Sequence, residues 1–133
     1  MKSTRQKLAS WGEDLAAEFL KSQGYQIIDR NVRTPYGEID LIARRTYQVQ
    51  TTLQLSPFTL FVEVKTRSST AYGYPEQAVT RKKRQHLLDS AQEYIRLHPE
   101  LDGDWRVDVI AILRAPGNAP PQIHVFENAI TSD

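Results

Sequence analysis

The chain has 133 residues, 40% hydrophobic and 25% charged, with 17 Lys and Arg against 16 Asp and Glu. That length and balance fit one folded domain spanning 1–133, with room for a proper core, and exclude a disordered polyelectrolyte. No apolar run reaches the length that crosses a bilayer, Met1 to Lys7 lacks the apolar stretch of a signal peptide, and cysteine is absent; a cytoplasmic protein without membrane or disulfide chemistry is expected.

A net charge of +1 gives no overall attraction for nucleic acid, but the charges are unevenly placed. Between Lys65 and Arg84 stand Lys65, Arg67, Arg81, Lys82, Lys83 and Arg84 against one acid, Glu76, while acids gather at Glu13, Asp14 and Glu18 and at Glu100, Asp102 and Asp104. A basic patch on a balanced surface is expected.

In chain order, Arg5 to Gln23 reads as an amphipathic helix, with Leu8, Trp11, Leu15 and Phe19 at spacings of three and four and Gly24 as its stop. At 100° per residue Glu13 falls on the margin of the apolar face, near Ala16 and Leu20; it is either a solvated acid or one that leans over whatever the helix covers. Tyr25 to Arg33 reads as a strand, Pro35-Tyr36-Gly37 suits a type I turn, and Gly37 to Arg44 returns as the second arm of a hairpin. Strict alternation puts Glu38, Asp40 and Ile42 on one face and Ile39, Leu41 and Ala43 on the other. Thr46 to Thr59 alternates apolar and polar residues until Ser56-Pro57 breaks the pattern, so it reads as a projecting ribbon or a loop.

Leu60 to Thr66 is the third strand, with Leu60, Val62 and Val64 on one face and Phe61, Glu63 and Lys65 on the other. Pro75 suits the first turn of a helix running from Glu76 to His98, with Ala78, Leu87, Leu88, Ala91, Tyr94, Ile95 and His98 inward. Trp105 to Leu113 and Gln122 to Phe126 supply two more strands. The order α-β-β-β-α-β-β predicts an α/β fold of the α+β mixed-sheet kind, a central sheet flanked by helices.

Ionised side chains are seldom buried without a partner, so acids inside two apolar strands need a reason. If the strands of Asp40 and Glu63 are neighbours, their carboxylates converge within reach of one cation. Hard oxygen ligands with open positions suit Mg²⁺ or Mn²⁺, with the Val64 carbonyl as a further ligand. Lys65, beside such a cation, could orient a water nucleophile or stabilise charge on a phosphoryl group. Solvated or paired strand charges are the alternative, and the spacing alone leaves both open. Glu38 reads as a wet acid at the strand start, and Asp108 as another wet-face acid or a partner for an arginine. His86, His98 and His124 have no metal-ligand spacing, and neither a phosphate-cradling glycine loop nor a Gly-X-Ser-X-Gly elbow is present.

Along nearly the whole chain, further motifs accompany these strands: Gly12-Glu13 with Ala16-Ala17, Gly24-Tyr25, Asn31, Tyr36 to Ala43, Phe61 to Arg67, Ala78-Val79, Lys82-Lys83 and Asp108 to Ala111. In these the sequence resembles the YraN-like uncharacterised bacterial protein family. That family is similar to the Holliday-junction-resolvase-like branch of the restriction-endonuclease-like, PD-(D/E)XK nucleases. The resemblance implies a restriction-endonuclease-like core and a Mg²⁺- or Mn²⁺-dependent endonuclease that hydrolyses phosphodiester bonds of branched or duplex DNA. Its catalytic residues would be Glu13, Asp40, Glu63 and Lys65, with Asp40, Glu63 and Val64 holding metal. Arg67, Arg81, Lys82, Lys83 and Arg84 would hold nucleic acid. Thr46 to Thr59 departs from the tight turn of typical members and bears on access, partner choice or a homodimer contact. The alternative is a catalytically inactive nucleic-acid-binding or protein-interaction module that retains the fold.

Overall fold

The computed structural model describes residues 1–48, 55–68, 80–101 and 103–130. Its elements follow the predicted order: α1 (Thr4–Ser22), β1 (Gln26–Thr34), β2 (Gly37–Gln48), β3 (Leu55–Arg67), α2 (Arg81–Leu97), β4 (Asp104–Leu113) and β5 (Gln122–Ile130). The strands form one mixed sheet in sequence order, antiparallel except for β3 and β4, which run parallel. A parallel pair needs a crossover, and α2 lies in that connection. The helices cover opposite faces: Ala16, Ala17 and Leu20 of α1 pack with Leu41, Leu60, Val62 and Ile110, whereas Leu87, Leu88, Ala91 and Tyr94 of α2 pack with Ile39, Ile42, Phe61 and Val109.

Helix α1 opens with a capping box, in which Ser3 Oγ accepts the Gln6 N–H and the Gln6 side chain accepts the Ser3 N–H. It closes where Gly24 takes φ 91°, donating to Lys21 O while Tyr25 donates to Leu20 O, a Schellman arrangement that glycine accommodates without strain. Its fully buried stripe is smaller than the large apolar residues suggest: Gly12, Ala16, Ala17 and Leu20 face the sheet, and Trp11, Leu15 and Phe19 pack at its margins. Close approach is the reason, because a Cβ on Gly12 would overlap Thr66 Oγ1 of β3.

Four boundaries differ from expectation. Helix α2 begins at Arg81, where the Thr80 side chain accepts the Lys83 N–H, not at Glu76; Pro75, Glu76 and Ala78 lie outside the described residues. Pairing of β2 with β3 continues out to Gln48↔Leu55, so the base of the 46–59 segment is a ribbon, and residues 49–54 lie outside the described residues. Pro57 does not break β3 but sits within it opposite Thr46; β4 joins only from Phe58, so the missing N–H falls where β3 has one neighbour. Strand β5 runs past Phe126 to a buried Ile130 opposite Val107, because the ladder bulges at Asp108, whose carboxylate takes the Asn128 N–H.

The α1 contact yields a direct test. Gly12→Ala should lower the unfolding free energy by about 1–3 kcal/mol, the usual cost of overpacking, and adding Thr66→Ala should recover part of that loss in urea denaturation.

Candidate active site

The β2–β3 ladder stops at Leu41↔Val62. Beyond it β2 stays paired only with β1, and β3 only with β4, so the two central strands part. Asp40 and Glu63 are the next residues on either side of the gap. The Asp40 carboxylate takes the place of a ladder bond, with Oδ2 accepting the Val64 N–H at 2.7 Å.

Parity changes at this point. Leu41 and Ala43 face α1, but Ile39 and Ile42 both face α2, so the predicted alternation of β2 fails at Asp40. In β1 the facing residue, Asn31, has φ 51°, a left-handed backbone that is uncommon outside glycine. On either side of it, Arg30 reaches Asp14 of α1 at 2.8 Å while Val32 packs with the α2 cluster. In β3 the expected alternation holds: Leu60, Val62 and Val64 face α1, and Phe61 faces α2.

Glu63 is 3% exposed and receives two ammonium groups on one oxygen, Lys65 Nζ at 3.1 Å and Lys83 Nζ at 3.0 Å. Lys83 is thus separated from its neighbours, because Arg81, Lys82 and Arg84 are exposed on the first turn of α2. That turn carries no acid, although cations at a helix N-terminus oppose its dipole. The expected basic cluster therefore splits, with one lysine in the site and three cations outside it.

Burial pushes the Asp40 carboxyl up to about 8, reinforced by the Glu63 charge and opposed by the Val64 hydrogen bond. The two lysines shift oppositely. Burial lowers Lys65 despite Glu63, whereas for Lys83 the attraction of Glu63 outweighs burial and the ammonium is held above its ordinary value. Glu13 is also raised by burial, against the lowering influence of Asn31 and Arg30.

Two cavities open on this gap. One, on the α1 side, has a volume of about 490 Å³ and is lined by Arg5, Glu13, Lys65, Thr66 and Arg67. The other, on the α2 side, is about 370 Å³ and is lined by Gly37, Lys83, His86 and Ser90. Glu38, Asp40 and Glu63 line both. Glu13, Asp40, Glu63, Lys65 and Val64 are therefore brought to one place, with Arg67 at its rim. Glu38, expected only as a wet strand-start acid, is half-exposed but converges on the same place. Asp108 does not: it is buried on β4 opposite Val62, lines a different cavity and is paired with Arg106 at 2.9 and 3.2 Å. The signal that places Lys83 in the site is its position four and eight residues before Leu87 and Ala91 of the inward stripe of α2, whereas no periodicity marks Asn31.

As a metal site, the arrangement offers two carboxylates and a neighbouring peptide carbonyl. Among the described residues no three His, Cys, Asp or Glu side chains are grouped to hold a metal ion. An ion held here would therefore rest on one or two carboxylates and keep several waters, as Mg²⁺ does.

Fold and site define a mixed α+β domain with a buried acid–lysine centre at a strand divergence. The chain belongs to the uncharacterised protein family UPF0102, whose family model matches residues 12–112. It is 39% identical to a UPF0102 protein of Syntrophotalea carbinolica, covering 97% of this chain and 95% of the relative. It is 43% identical to one of Nocardia farcinica, covering 91% and 87%, and 35% identical to one of Dehalococcoides mccartyi, covering 98% of both. No helix among the described residues is long and apolar enough to cross a membrane.

The raised Asp40 pKa has a defined consequence for stability. The folded chain keeps a proton that the unfolded chain releases between pH 3.8 and about 8, so this carboxyl's contribution is most favourable below that window and is lost as pH rises through it. Asp40→Asn should therefore become more stable relative to the parent as pH rises from 4 to 8, by on the order of a few kcal/mol, with no further gain above. Thermal denaturation across that range checks both the sign and the window.

Proposed function

We propose that the chain is a divalent-metal-dependent DNA endonuclease of the resolvase-like class. The observation that carries the reading is the convergence of Asp40, Glu63 and Lys65 where β2 and β3 part, between two open cavities. A half-buried and a buried carboxyl side by side repel unless protonated or bridged by positive charge, and their placement suits a divalent cation held by Asp40, Glu63 and the Val64 carbonyl. When bound, such an ion would polarise a phosphodiester and favour a hydroxide nucleophile.

Lys65, held against Glu63 and less firmly protonated than an exposed lysine, orients the attacking water and stabilises charge on the phosphoryl oxygens. Glu13 overlooks the same space from α1 and orients that water from the α1-side cavity. Arg5 and Arg67 at the rim of that cavity, and Arg81, Lys82 and Arg84 on α2, hold flanking phosphates. Three surface cations on a turn whose dipole disfavours them are accounted for by an external anion.

Purified protein offered linear, flapped and four-way DNA should cleave with Mg²⁺ or Mn²⁺ and stop when EDTA is added. Asp40→Asn and Lys65→Ala should each lower the rate at least a hundredfold, and calorimetry should show Mn²⁺ binding that Glu63→Gln weakens. Cleavage unchanged in either of the first two variants sinks the assignment.

One observation favours a second reading, a nucleic-acid-binding module without catalysis: Lys83 already neutralises Glu63. That reading predicts DNA binding with no cleavage under any metal. The two separate on Lys83→Met, which should bind Mn²⁺ several-fold more tightly if the lysine competes with a cation, and no more tightly if the site never takes one.

A further inference from the structure

Three observations meet at Asn31, an exposed residue of β1 for which neither the acid–lysine chemistry nor the phosphate contacts have any use. Its backbone is left-handed, at φ 51°, in the middle of a strand; such a conformation costs energy and persists where the surroundings require it. It lies opposite Asp40, between the pairs Arg30↔Leu41 and Val32↔Ile39, and both strands change face there. Its amide spans two acids from different elements. With nitrogen facing them it donates to Glu13 Oε1 of α1 at 3.0 Å and to Glu38 Oε1 of β2 at 3.2 Å, whereas the opposite orientation would set its oxygen against two carboxylates.

We propose that Asn31 is the positioning residue of the site, bridging Glu13 and Glu38 over Asp40 and setting, through its left-handed backbone, the change of face that turns Asp40 into the gap. The proposal rests on the metal-site reading. Asparagine suits both tasks, because it tolerates the left-handed region better than most residues and carries two N–H donors on one nitrogen. Among the described residues, the cations within 4.0 Å of these two acids are Arg30, 4.0 Å from Glu13, and Arg33, 3.9 Å from Glu38.

Asn31→Gly separates the backbone role from the amide, since glycine keeps the left-handed conformation without strain and lacks the donor. The expected result is a chain that still folds cooperatively, with Mn²⁺ affinity by calorimetry lowered about tenfold or more, as for other residues that orient ligands. The Asn31 side-chain ¹⁵N–¹H resonances of the metal-free parent should also move on Glu13→Gln and on Glu38→Gln. Lost stability with Mn²⁺ affinity retained would make Asn31 purely structural, and resonances indifferent to both glutamates would remove the bridge; either overturns the proposal. Glu63→Gln is the control that keeps the failures apart. If it abolishes Mn²⁺ binding while Asn31→Gly does not, only the Asn31 proposal falls. If neither variant changes Mn²⁺ binding, the metal reading falls and takes the proposal with it.

Discussion

The divergence of β2 and β3 after Leu41↔Val62 is the constraint on which the site depends. A sheet normally satisfies each backbone N–H with its neighbour, but past this point β3 keeps β4 alone. The Asp40 carboxylate supplies the missing acceptor for Val64. One hydrogen bond thereby ends the ladder without an orphaned donor, fixes an acid between two strands and aims the adjoining Val64–Lys65 segment at the same gap. The tight seat of α1, set by Gly12 over Thr66, then brings Glu13 alongside.

Charge balance follows from that geometry. Burial, reinforced by the neighbouring Glu63 charge, raises the Asp40 carboxyl far above an exposed aspartate. Lys65 and Lys83 compensate from β3 and α2. Removing one member of a buried ion pair typically costs about 3–5 kcal/mol, so the group is held together electrostatically as well as by the fold. The lysines are not equivalent: Lys65 has only 14% of its side chain exposed, and Lys83 43%. Lys83 therefore reaches Glu63 from the solvent side, whereas Lys65 sits inside the site.

Much of this was legible in the residues, for identifiable reasons. Periodicity gave the order of elements, the faces of β3 and the inward stripe of α2, because those features follow from apolar spacing. Asp40, Glu63 and Lys65 stood out because charge inside apolar strands demands compensation. The misses are places where one side chain overrode a local rule. Asn31 and Asp40 break the alternation of their hairpin, which no period-2 reading contains. The Asp108 carboxylate takes the Asn128 N–H and lengthens β5 past its apparent end, and Pro57 is admitted to β3 because β4 begins one residue later. Lys83, grouped with its basic neighbours as a phosphate contact, stands four residues before Leu87 and eight before Ala91, so the inward stripe of α2 carries it to Glu63. Membership of UPF0102 fixes what the chain is similar to, and the reaction rests on the site alone.

The central claim is that the gap between β2 and β3 is a cation site. Anomalous diffraction from crystals grown with Mn²⁺ tests it most directly. The account predicts a single strong peak about 2.1 Å from carboxylate oxygens of Asp40 and Glu63, with Lys83 withdrawn from Glu63 and Lys65 still in place. A map with no peak there and Lys83 still seated on Glu63, at Mn²⁺ concentrations that saturate other carboxylate sites, would contradict it.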